Sequence, residues 1–471
     1  MKKIKQYIKL IFHGHYDTST PEGRSSERAR NIALTAMSAM LAKIIAMIVP
    51  LVTVRLTLSY MGEEIYGLWS AVTSFFALFA FADLGLGSGL QTELGKASAL
   101  DDPSICKRLV SSTYVILCIV SGALIAVFLV AFPFIDWATV INAETEAAIA
   151  IVASVVIAIV IPKFLNVPLA LIQRTQMAMQ EGYRSNLWQC AGNFLSLLFV
   201  ILVYFLDLGV LAMIWASSLI VVIVSLINMI VYFKFQRPEL RPSIKFFDKE
   251  ISKRMLTTGI YFFILSILTS LSLSIDNFIV AHTCSLADVT PYSVMYKIVH
   301  LIAVVSAMLS TPLWSANSEA MQRGEYDWVR AATKKTAIIS LLLSAVASLA
   351  LLLLIKPALY ILTDGMVAPD YILLIVMCLM QIAISVTNPF FMILNAGKII
   401  KFQIVTYFIY ALISLPLKFV LGEQFGMTAI TWVGFISYVV LLTIPTFVRS
   451  IKFLQCEKSK AQKAVNLNDL V

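Results

Sequence analysis

The sequence predicts an all-α polytopic membrane protein, with about twelve transmembrane helices in two six-helix halves around a central cavity. Of its 471 residues, 59% are hydrophobic and only 13% are charged, whereas a soluble domain has about 25% charged residues. Long apolar runs recur along the whole chain and are separated by short polar breaks. Lys and Arg are concentrated in every second break, which is typical of membrane proteins whose basic loops face the cytoplasm.

The chain starts with a basic segment, residues 1–30, in which lysines and arginines are spread among polar residues. The segment is too polar to contain the apolar region of a signal peptide. We expect it to lie on the cytoplasmic side, where its basic residues would contact anionic membrane lipids.

Each apolar run is long enough to cross the hydrocarbon core of a bilayer, because a helix rises about 1.5 Å per residue. The predicted spans are residues 31–58, 65–91, 108–135, 147–172, 186–206, 209–233, 255–283, 289–316, 336–357, 368–395, 402–421 and 425–448. Pro238 and Pro242 lie in the longest polar break, which divides the spans six and six. We expect an N-terminal half at 31–236, a linker at 237–254, a C-terminal half at 255–448 and a basic tail at 449–471 without a fold of its own.

The distribution of basic residues predicts the orientation of the chain. Of the 36 Lys and Arg residues, 30 lie in the two terminal segments and in or at the edge of the even-numbered breaks, five lie well inside spans, and only Lys356 lies at the opposite edge. The asymmetry predicts a multi-pass protein with both termini in the cytoplasm. The net charge of +9 is therefore explained by topology and by a basic interior, and it does not indicate nucleic-acid binding.

Four cations inside the first eight spans are the predicted substrate-binding residues: Lys43, Arg55, Lys163 and Lys297. A charged side chain at the bilayer centre costs about 2.5–3.5 kcal/mol, so such residues normally face a partner or an aqueous cavity. Alternatives remain for three of them. Arg55 could reach the lipid headgroups, and Lys163 and Lys297 could pair with buried carboxylates or lie outside spans whose boundaries differ from those given above. Lys43 lies nearer the middle of its span. Lys418, near the outer end of its span, is expected to reach the headgroups.

Two carboxylates inside spans are the predicted ion-coupling residues. Asp276 lies deep in the seventh span, where an unpaired carboxylate would be driven to take up a proton. Asp83 precedes Gly85, Gly87 and Gly89, three glycines that allow close helix contact or local unwinding. Asp83 could instead cap a helix break at this point.

The sequence contains no motif that indicates an enzyme, a metal site or a cofactor. Gly89–Ala97 (GLQTELGKA) fails as a phosphate-binding loop, since five residues separate its glycines and an Ala follows the Lys. No GxSxG motif is present, the six cysteines include no CxxC pair, and the four histidines include no HExxH pair. We therefore expect neither catalysis nor a bound metal or cofactor.

Three sequence features resemble one family of transporters. They are YGLW at 66–69, FADLGLGSGL at 81–90 and the Asp276-Asn277 pair. Together with the twelve-span plan they resemble the bacterial O-antigen and polysaccharide-repeat-unit flippases, which are related to the multidrug and toxic-compound extrusion transporters.

The resemblance implies a flippase of the bacterial inner membrane. Its substrate would be an undecaprenyl-pyrophosphate-linked oligosaccharide, moved from the inner to the outer leaflet by alternating access, with a coupling proton or sodium ion and polysaccharide-assembly proteins such as a polymerase as further partners. The alternative is a proton- or sodium-coupled exporter of small drugs. Such exporters need acidic cavities for cationic compounds, whereas the spans of this chain hold five cations and two clear carboxylates.

Overall fold

A computed structural model of the chain describes residues 21–77, 83–99, 102–311, 313–322, 324–397 and 399–468. All regular elements within these residues are helical. The α-helices are α1 (Pro21–Phe75), α2 (Leu86–Ala99), α3 (Pro103–Ala131), α4 (Trp137–Ile141), α5 (Glu146–Ala178), α6 (Gly182–Phe205), α7 (Val210–Val231), α8 (Lys249–Leu273), α9 (Asp276–Thr283), α10 (Leu286–Ser310), α11 (Leu313–Gln322), α12 (Tyr326–Thr363), α13 (Tyr371–Ala396), α14 (Ile400–Phe425), α15 (Met427–Tyr438) and α16 (Ile444–Asn468). Residues 1–20 of the predicted basic segment lie outside the described residues.

The membrane spans follow the apolar runs of the sequence. Ten helical stretches in the described residues are long and apolar enough to cross a bilayer, and α8 with α9, bent by 41°, adds an eleventh. The helix α1 contains a backbone break at Gly62, where φ is 76°, so it holds the predicted first span and the start of the predicted second span. The predicted all-α fold with about twelve spans is confirmed.

The described residues form two compact units. Unit 1 comprises the described parts of Met1–Tyr60, Phe79–Val140 and Ile149–Phe263, and unit 2 comprises those of Met61–Leu78, Ile141–Ala148 and Ile264–Val471. Unit 2 therefore contains the first part of the second span together with the C-terminal helices. The helix α8 passes from one unit to the other within its length.

A buried apolar cluster stabilises unit 1 around the helices α2 and α3. Its members include Leu86, Leu90 and Leu94, one turn apart on one face of α2, and Leu109 and Tyr114 of α3. Asp102 fixes the start of α3, because its side chain accepts hydrogen bonds from the backbone N–H groups of two residues in the first turn.

The polar segment between the sixth and seventh spans packs against α3 within unit 1. Ser111 and Ser112 of α3 accept hydrogen bonds from the backbone N–H groups of Ser243 and Asp248, at 3.1 and 2.8 Å. Asp248 also pairs with Arg108. The Ile251 backbone N–H and the Arg108 guanidinium hold the pKa of the Asp248 carboxyl below its ordinary value. These contacts hold the segment in a defined conformation.

A second apolar cluster lies in unit 2, where Phe391, Tyr407, Tyr410 and Tyr438 from α13, α14 and α15 are buried together. The rings of Phe391 and Tyr407 stack with centroids 5.8 Å apart. Apolar burial and offset aromatic contacts stabilise this part of the fold.

The expectation that the basic tail has no fold of its own is wrong. The helix α16 runs from Ile444 to Asn468, and Leu454 is buried against Val329 and Ile393 of unit 2. Lys458 forms an ion pair with Asp327 at 2.7 Å. The sequence favoured an unstructured tail because basic residues are frequent in it. Apolar residues such as Leu454 nevertheless continue beyond the last predicted span.

Candidate functional site

Unit 1 contains a cavity of about 480 Å³ that two basic residues of one helix line. Lys163 and Arg174 both lie on α5, eleven residues apart, which corresponds to about three helical turns and places them on the same face. Amide side chains of Asn166, Gln173 and Gln189 line the same cavity. The site therefore offers two cations and several neutral hydrogen-bonding groups, together with the single carboxylate of Asp83.

Pro168 of α5 explains a contact that joins α5 to α3 next to Lys163. Pro168 lacks a backbone N–H, so the carbonyl of Phe164, four residues earlier, has no helical partner from that position. Ser121 of α3 donates a hydrogen bond from its hydroxyl to this carbonyl oxygen at 2.7 Å. The contact ties α3 to α5 one residue after Lys163.

Arg174 falls in the break between the predicted spans 147–172 and 186–206, but α5 continues to Ala178 and carries the residue into the cavity. Its Nη1 donates to Oε1 of Gln91 at 3.4 Å. Gly87 makes room for it, because a Cβ atom at this position would lie 3.2 Å from Cγ of Arg174. The glycine-rich segment thus shapes the wall of the cavity.

Asp83, which lines the same cavity, lies in the turn that starts α2. Its Oδ1 accepts a hydrogen bond from the backbone N–H of Gly85 at 3.0 Å, and its carbonyl accepts one from Leu86 at 2.8 Å. Gly85 has a φ of 71°, which residues other than glycine rarely adopt. The helical geometry is therefore interrupted at Gly85, which is one of the two arrangements that the glycines allow, and the ion-coupling role of Asp83 stays a prediction.

The two predicted binding residues of α1 lie elsewhere in unit 1. Lys43 is half-buried and Arg55 is exposed, and neither lines the 480 Å³ cavity. Their role in substrate binding stays a prediction.

Unit 2 contains a second cavity, of about 590 Å³, and Lys297 and Asp276 both line it. Lys297 donates a hydrogen bond from its ammonium group to the hydroxyl of the buried Tyr66. Its Nζ also lies 4.8 Å from the centroid of the Tyr66 ring, within the range of a cation–π interaction.

These contacts explain the YGLW sequence, which lies in the part of the second span that belongs to unit 2. Tyr66 holds Lys297, and Trp69 lines the cavity. Gly67 is required by close packing, because a Cβ atom there would lie 1.9 Å from the carbonyl oxygen of Leu286.

A buried ion pair joins the seventh and eleventh spans. Nζ of Lys418 lies 2.5 Å from Oδ1 of Asp276, and the Tyr292 hydroxyl donates to the other carboxylate oxygen at 3.1 Å. The Lys418 side chain is 1% exposed and that of Asp276 is 21% exposed. Asp276 begins α9, where the helix dipole favours a negative charge.

The expectation that Lys418 reaches the lipid headgroups is therefore wrong. Gly434 leaves space for its side chain, since a Cβ atom at that position would lie 3.3 Å from Cε of Lys418. Sequence reasoning missed the pair because the partners are 142 residues apart. The available signal was charge complementarity, since a lone cation and a lone carboxylate inside two spans could neutralise each other.

The two cavities differ in their chemistry. The unit 1 cavity presents the two basic side chains of Lys163 and Arg174 and the single carboxylate of Asp83, and this excess of basic groups suits an anion. In unit 2 the carboxylate of Asp276 is already neutralised by Lys418. No cluster of three or more His, Cys, Asp or Glu residues that could hold a metal ion occurs in the described part of the chain.

Solved structures with the same fold are transporters. The chain is similar to an inward-facing multidrug resistance MATE family transporter of the MOP superfamily, at a TM-score of 0.75 and 16% identity, covering 90% of this chain and 99% of that one. An outward-facing transporter of the same description has a TM-score of 0.67 at 14% identity and covers 91% of this chain and 96% of that one. At these identities the likeness concerns the fold.

Curated relatives carry the name of one transported polymer. A protein of Yersinia pseudotuberculosis named as an O-antigen export protein is 22% identical over 86% of this chain and 89% of its own length. One of Salmonella typhi named as an O-antigen transporter is 26% identical over 61% of this chain and 65% of its own length. The resemblance to O-antigen flippases related to the MATE transporters is confirmed.

Family models match both parts of the chain. The MatE model matches residues 262–420, and the model described as polysaccharide biosynthesis protein matches residues 30–316, which is more than half of the chain. With the all-helical transporter fold and the basic cavity of unit 1, this match shows that the chain belongs to the polysaccharide biosynthesis protein family of membrane proteins.

Proposed function

We propose that the protein is a flippase that moves an undecaprenyl-pyrophosphate-linked oligosaccharide from the inner to the outer leaflet of the bacterial inner membrane. The observation that carries this proposal is the pair of cations, Lys163 and Arg174, in the cavity of unit 1. The names of the Yersinia and Salmonella relatives support an O-antigen repeat unit as the transported group.

The chemistry of this cavity fits a pyrophosphate. A guanidinium can donate two hydrogen bonds to one phosphate, and an ammonium acts as a point charge with three donors. The amides of Gln173 and Gln189 can donate to the remaining phosphate oxygens. The polyprenyl chain would stay in the lipid, because its transfer into water would expose a large apolar surface.

We propose that the protein is a membrane transporter without catalytic activity. We also propose that it transports its substrate by alternating access. The existence of inward-facing and outward-facing transporters of this fold supports this mechanism. The lipid-linked oligosaccharide is the proposed substrate, and a polymerase that consumes it at the outer face is a proposed partner.

The membrane potential is the proposed driving force. A pyrophosphate carries about two negative charges, so its outward movement is favoured by roughly 4–5 kcal/mol at an inside-negative potential of about 100 mV. The cations of the cavity stay with the protein and do not cancel this charge over a full cycle. Asp276 is the proposed residue for additional coupling to a proton or sodium ion, by changing its pairing with Lys418 during the cycle.

Outward flipping of the lipid-linked oligosaccharide in proteoliposomes should respond to an imposed electrical potential. We expect a potassium–valinomycin potential, negative on the side that corresponds to the cytoplasm, to accelerate flipping when no proton or sodium gradient is present. A flipping rate that does not depend on the potential would contradict this driving force. If the Asp276→Asn variant kept the wild-type response to an added ion gradient, the coupling role of Asp276 would be refuted.

The topology with cytoplasmic termini can be tested by cysteine labelling. In a cysteine-less background, cysteines at the exposed positions Glu63 and Glu423 are expected to react with an impermeant thiol reagent added to intact cells. Cysteines at the exposed positions Lys245 and Ser459 are expected to react only after the cells are opened. The opposite pattern would reverse the orientation.

An exporter of cationic drugs is the second candidate function, because the MatE model matches residues 262–420. A drug cation needs an accessible carboxylate, whereas the one carboxylate that lines the unit 2 cavity is paired with Lys418. The two functions are separated by expression in a host that lacks its own flippase and its drug exporters. Restored surface polysaccharide supports the flippase, and raised resistance to cationic dyes supports the exporter.

A further inference from the structure

The cavity of unit 2 combines flat aromatic rings with many hydroxyl groups. The rings of Tyr296 and His300 are stacked, with centroids 5.3 Å apart and an interplanar angle of 17°, and Trp69 is a further aromatic residue of the lining. Seven Ser and Thr side chains line the same cavity, and they are Ser70, Thr73, Ser74, Thr269, Ser270, Ser274 and Ser293. Its volume of about 590 Å³ is within the range of about 300–1,000 Å³ found for small-molecule sites.

The ionic groups of this cavity are already engaged. Asp276 is paired with Lys418 and accepts a hydrogen bond from Tyr292. Lys297 donates to Tyr66 and lies against its ring. A charged ligand would have to displace one of these interactions, so the cavity favours an uncharged polar ligand.

One buried acceptor in the lining has no partner. The side-chain oxygen Oδ1 of Asn277 is buried and receives no hydrogen bond from the described residues. An unsatisfied buried acceptor costs about 1–3 kcal/mol, and a rotation of the Asn277 side chain that lets Oδ1 accept a hydrogen bond from a ligand hydroxyl would remove this cost. A cation is a less suitable ligand, because the same lining carries the ammonium of Lys297.

A sugar ring fits this combination. A pyranose has an apolar face of C–H groups, which packs on an aromatic ring, and a rim of hydroxyls, each of which can donate and accept hydrogen bonds. Hydroxyl side chains are suitable partners for the rim, because each of them is also both a donor and an acceptor.

We propose that the unit 2 cavity is a carbohydrate subsite that binds a neutral sugar residue of the transported oligosaccharide. The aromatic residues Trp69, Tyr296 and His300 contact the apolar face of the ring, and Asn277 accepts a hydrogen bond from one of its hydroxyls. This proposal rests on the proposed flippase function, and it concerns only the sugar part of the substrate.

The test compares the binding affinities of two probes for the purified full-length protein in detergent. The first is the soluble repeat-unit oligosaccharide, released by mild acid from the lipid-linked pool of the host, and the second is undecaprenyl pyrophosphate without sugar. We expect Asn277→Leu to weaken binding of the soluble oligosaccharide at least tenfold and to leave binding of undecaprenyl pyrophosphate unchanged. Lys163→Ala is the reciprocal control and should weaken only the second probe.

A second measurement does not depend on a substitution in the buried part of the lining. Thr73 is an exposed residue of the cavity, and a Thr73→Cys variant in a cysteine-less background should react more slowly with a maleimide when the soluble oligosaccharide is present. We expect at least a threefold slower reaction, and no change with undecaprenyl pyrophosphate.

The outcomes separate the subsite from the proposed function. Wild-type affinity of Asn277→Leu for the oligosaccharide, or labelling of Thr73→Cys that the oligosaccharide does not slow, overturns the subsite. If Lys163→Ala still weakens the binding of undecaprenyl pyrophosphate in that case, the flippase proposal remains. A wild-type protein that binds neither probe overturns both proposals.

Discussion

Replacing Asp276 by Asn is expected to lower the free energy of unfolding by about 3–5 kcal/mol, because it leaves the ammonium of Lys418 buried without a counter-charge. Lys418→Met should cost less, since the Asp276 carboxylate that it leaves unpaired is 21% exposed and borders a cavity, whereas Lys418 is 1% exposed. The double variant Asp276→Asn with Lys418→Met removes both charges and should recover much of the loss. Thermal unfolding of the purified variants in one detergent measures this cycle.

A surface ion pair in the same unit provides the matched control. Asp327 and Lys458 lie 2.7 Å apart, but their side chains are 78% and 43% exposed. Exposed pairs contribute about 0–1 kcal/mol, so Asp327→Asn should change the unfolding temperature little. Equal destabilisation by Asp276→Asn and Asp327→Asn, or a double variant no more stable than Asp276→Asn alone, would show that the buried pair is not the cause.

Removing both cations of the unit 1 cavity is expected to abolish measurable export. A hydrogen bond to a charged group contributes about 1.5–3 kcal/mol, which corresponds to roughly a tenfold to hundredfold loss of headgroup affinity for Lys163→Ala or Arg174→Ala. The combined loss should exceed a hundredfold. Arg174→Lys should keep more activity than Arg174→Ala, because it retains a point charge but loses the planar donor pair.

Export is measured as surface polysaccharide in a host that lacks its own flippase, normalised to the amount of protein in the membrane. Lys245→Ala is the matched control, since it removes one cation from an exposed position in the linker and should leave export at the wild-type level. Full export by the Lys163→Ala, Arg174→Ala double variant at normal abundance would exclude the proposed headgroup site.

The spans could be predicted from the sequence because the bilayer imposes one requirement on all of them. An unpaired backbone polar group is costly in lipid, so every apolar run of sufficient length must form a helix. The predicted run at 147–172, for example, lies within α5, Glu146–Ala178.

The ends of the helices were less predictable, and this affected the site. Hydropathy marks where a chain leaves the hydrocarbon core, whereas a helix continues as long as its backbone hydrogen bonds and its packing support it. Arg174 lies in such a continuation, and so does most of α16. Arg174 was therefore placed in a connecting segment and most of α16 in the terminal tail, and the second cation of the unit 1 cavity was missed.

Partnerships between distant residues could not be derived from one sequence. The intramembrane positions of Lys297, Asp276 and Lys418 are evident from the sequence, but any of these cations could have been the partner of the carboxylate. Tertiary packing decides between them, because Gly434 admits the Lys418 side chain and Tyr66 holds Lys297.

The pair of Asp276 and Lys418 also constrains how this sequence can diverge. A descendant that loses one partner must pass through a protein with an uncompensated buried charge, so single substitutions at either position should be removed by selection. The two positions, 142 residues apart, should therefore change together among related sequences, either keeping opposite charges or becoming neutral in the same lineage. A family alignment in which the two columns vary independently would mean that some lineages have found another counter-charge for the remaining partner.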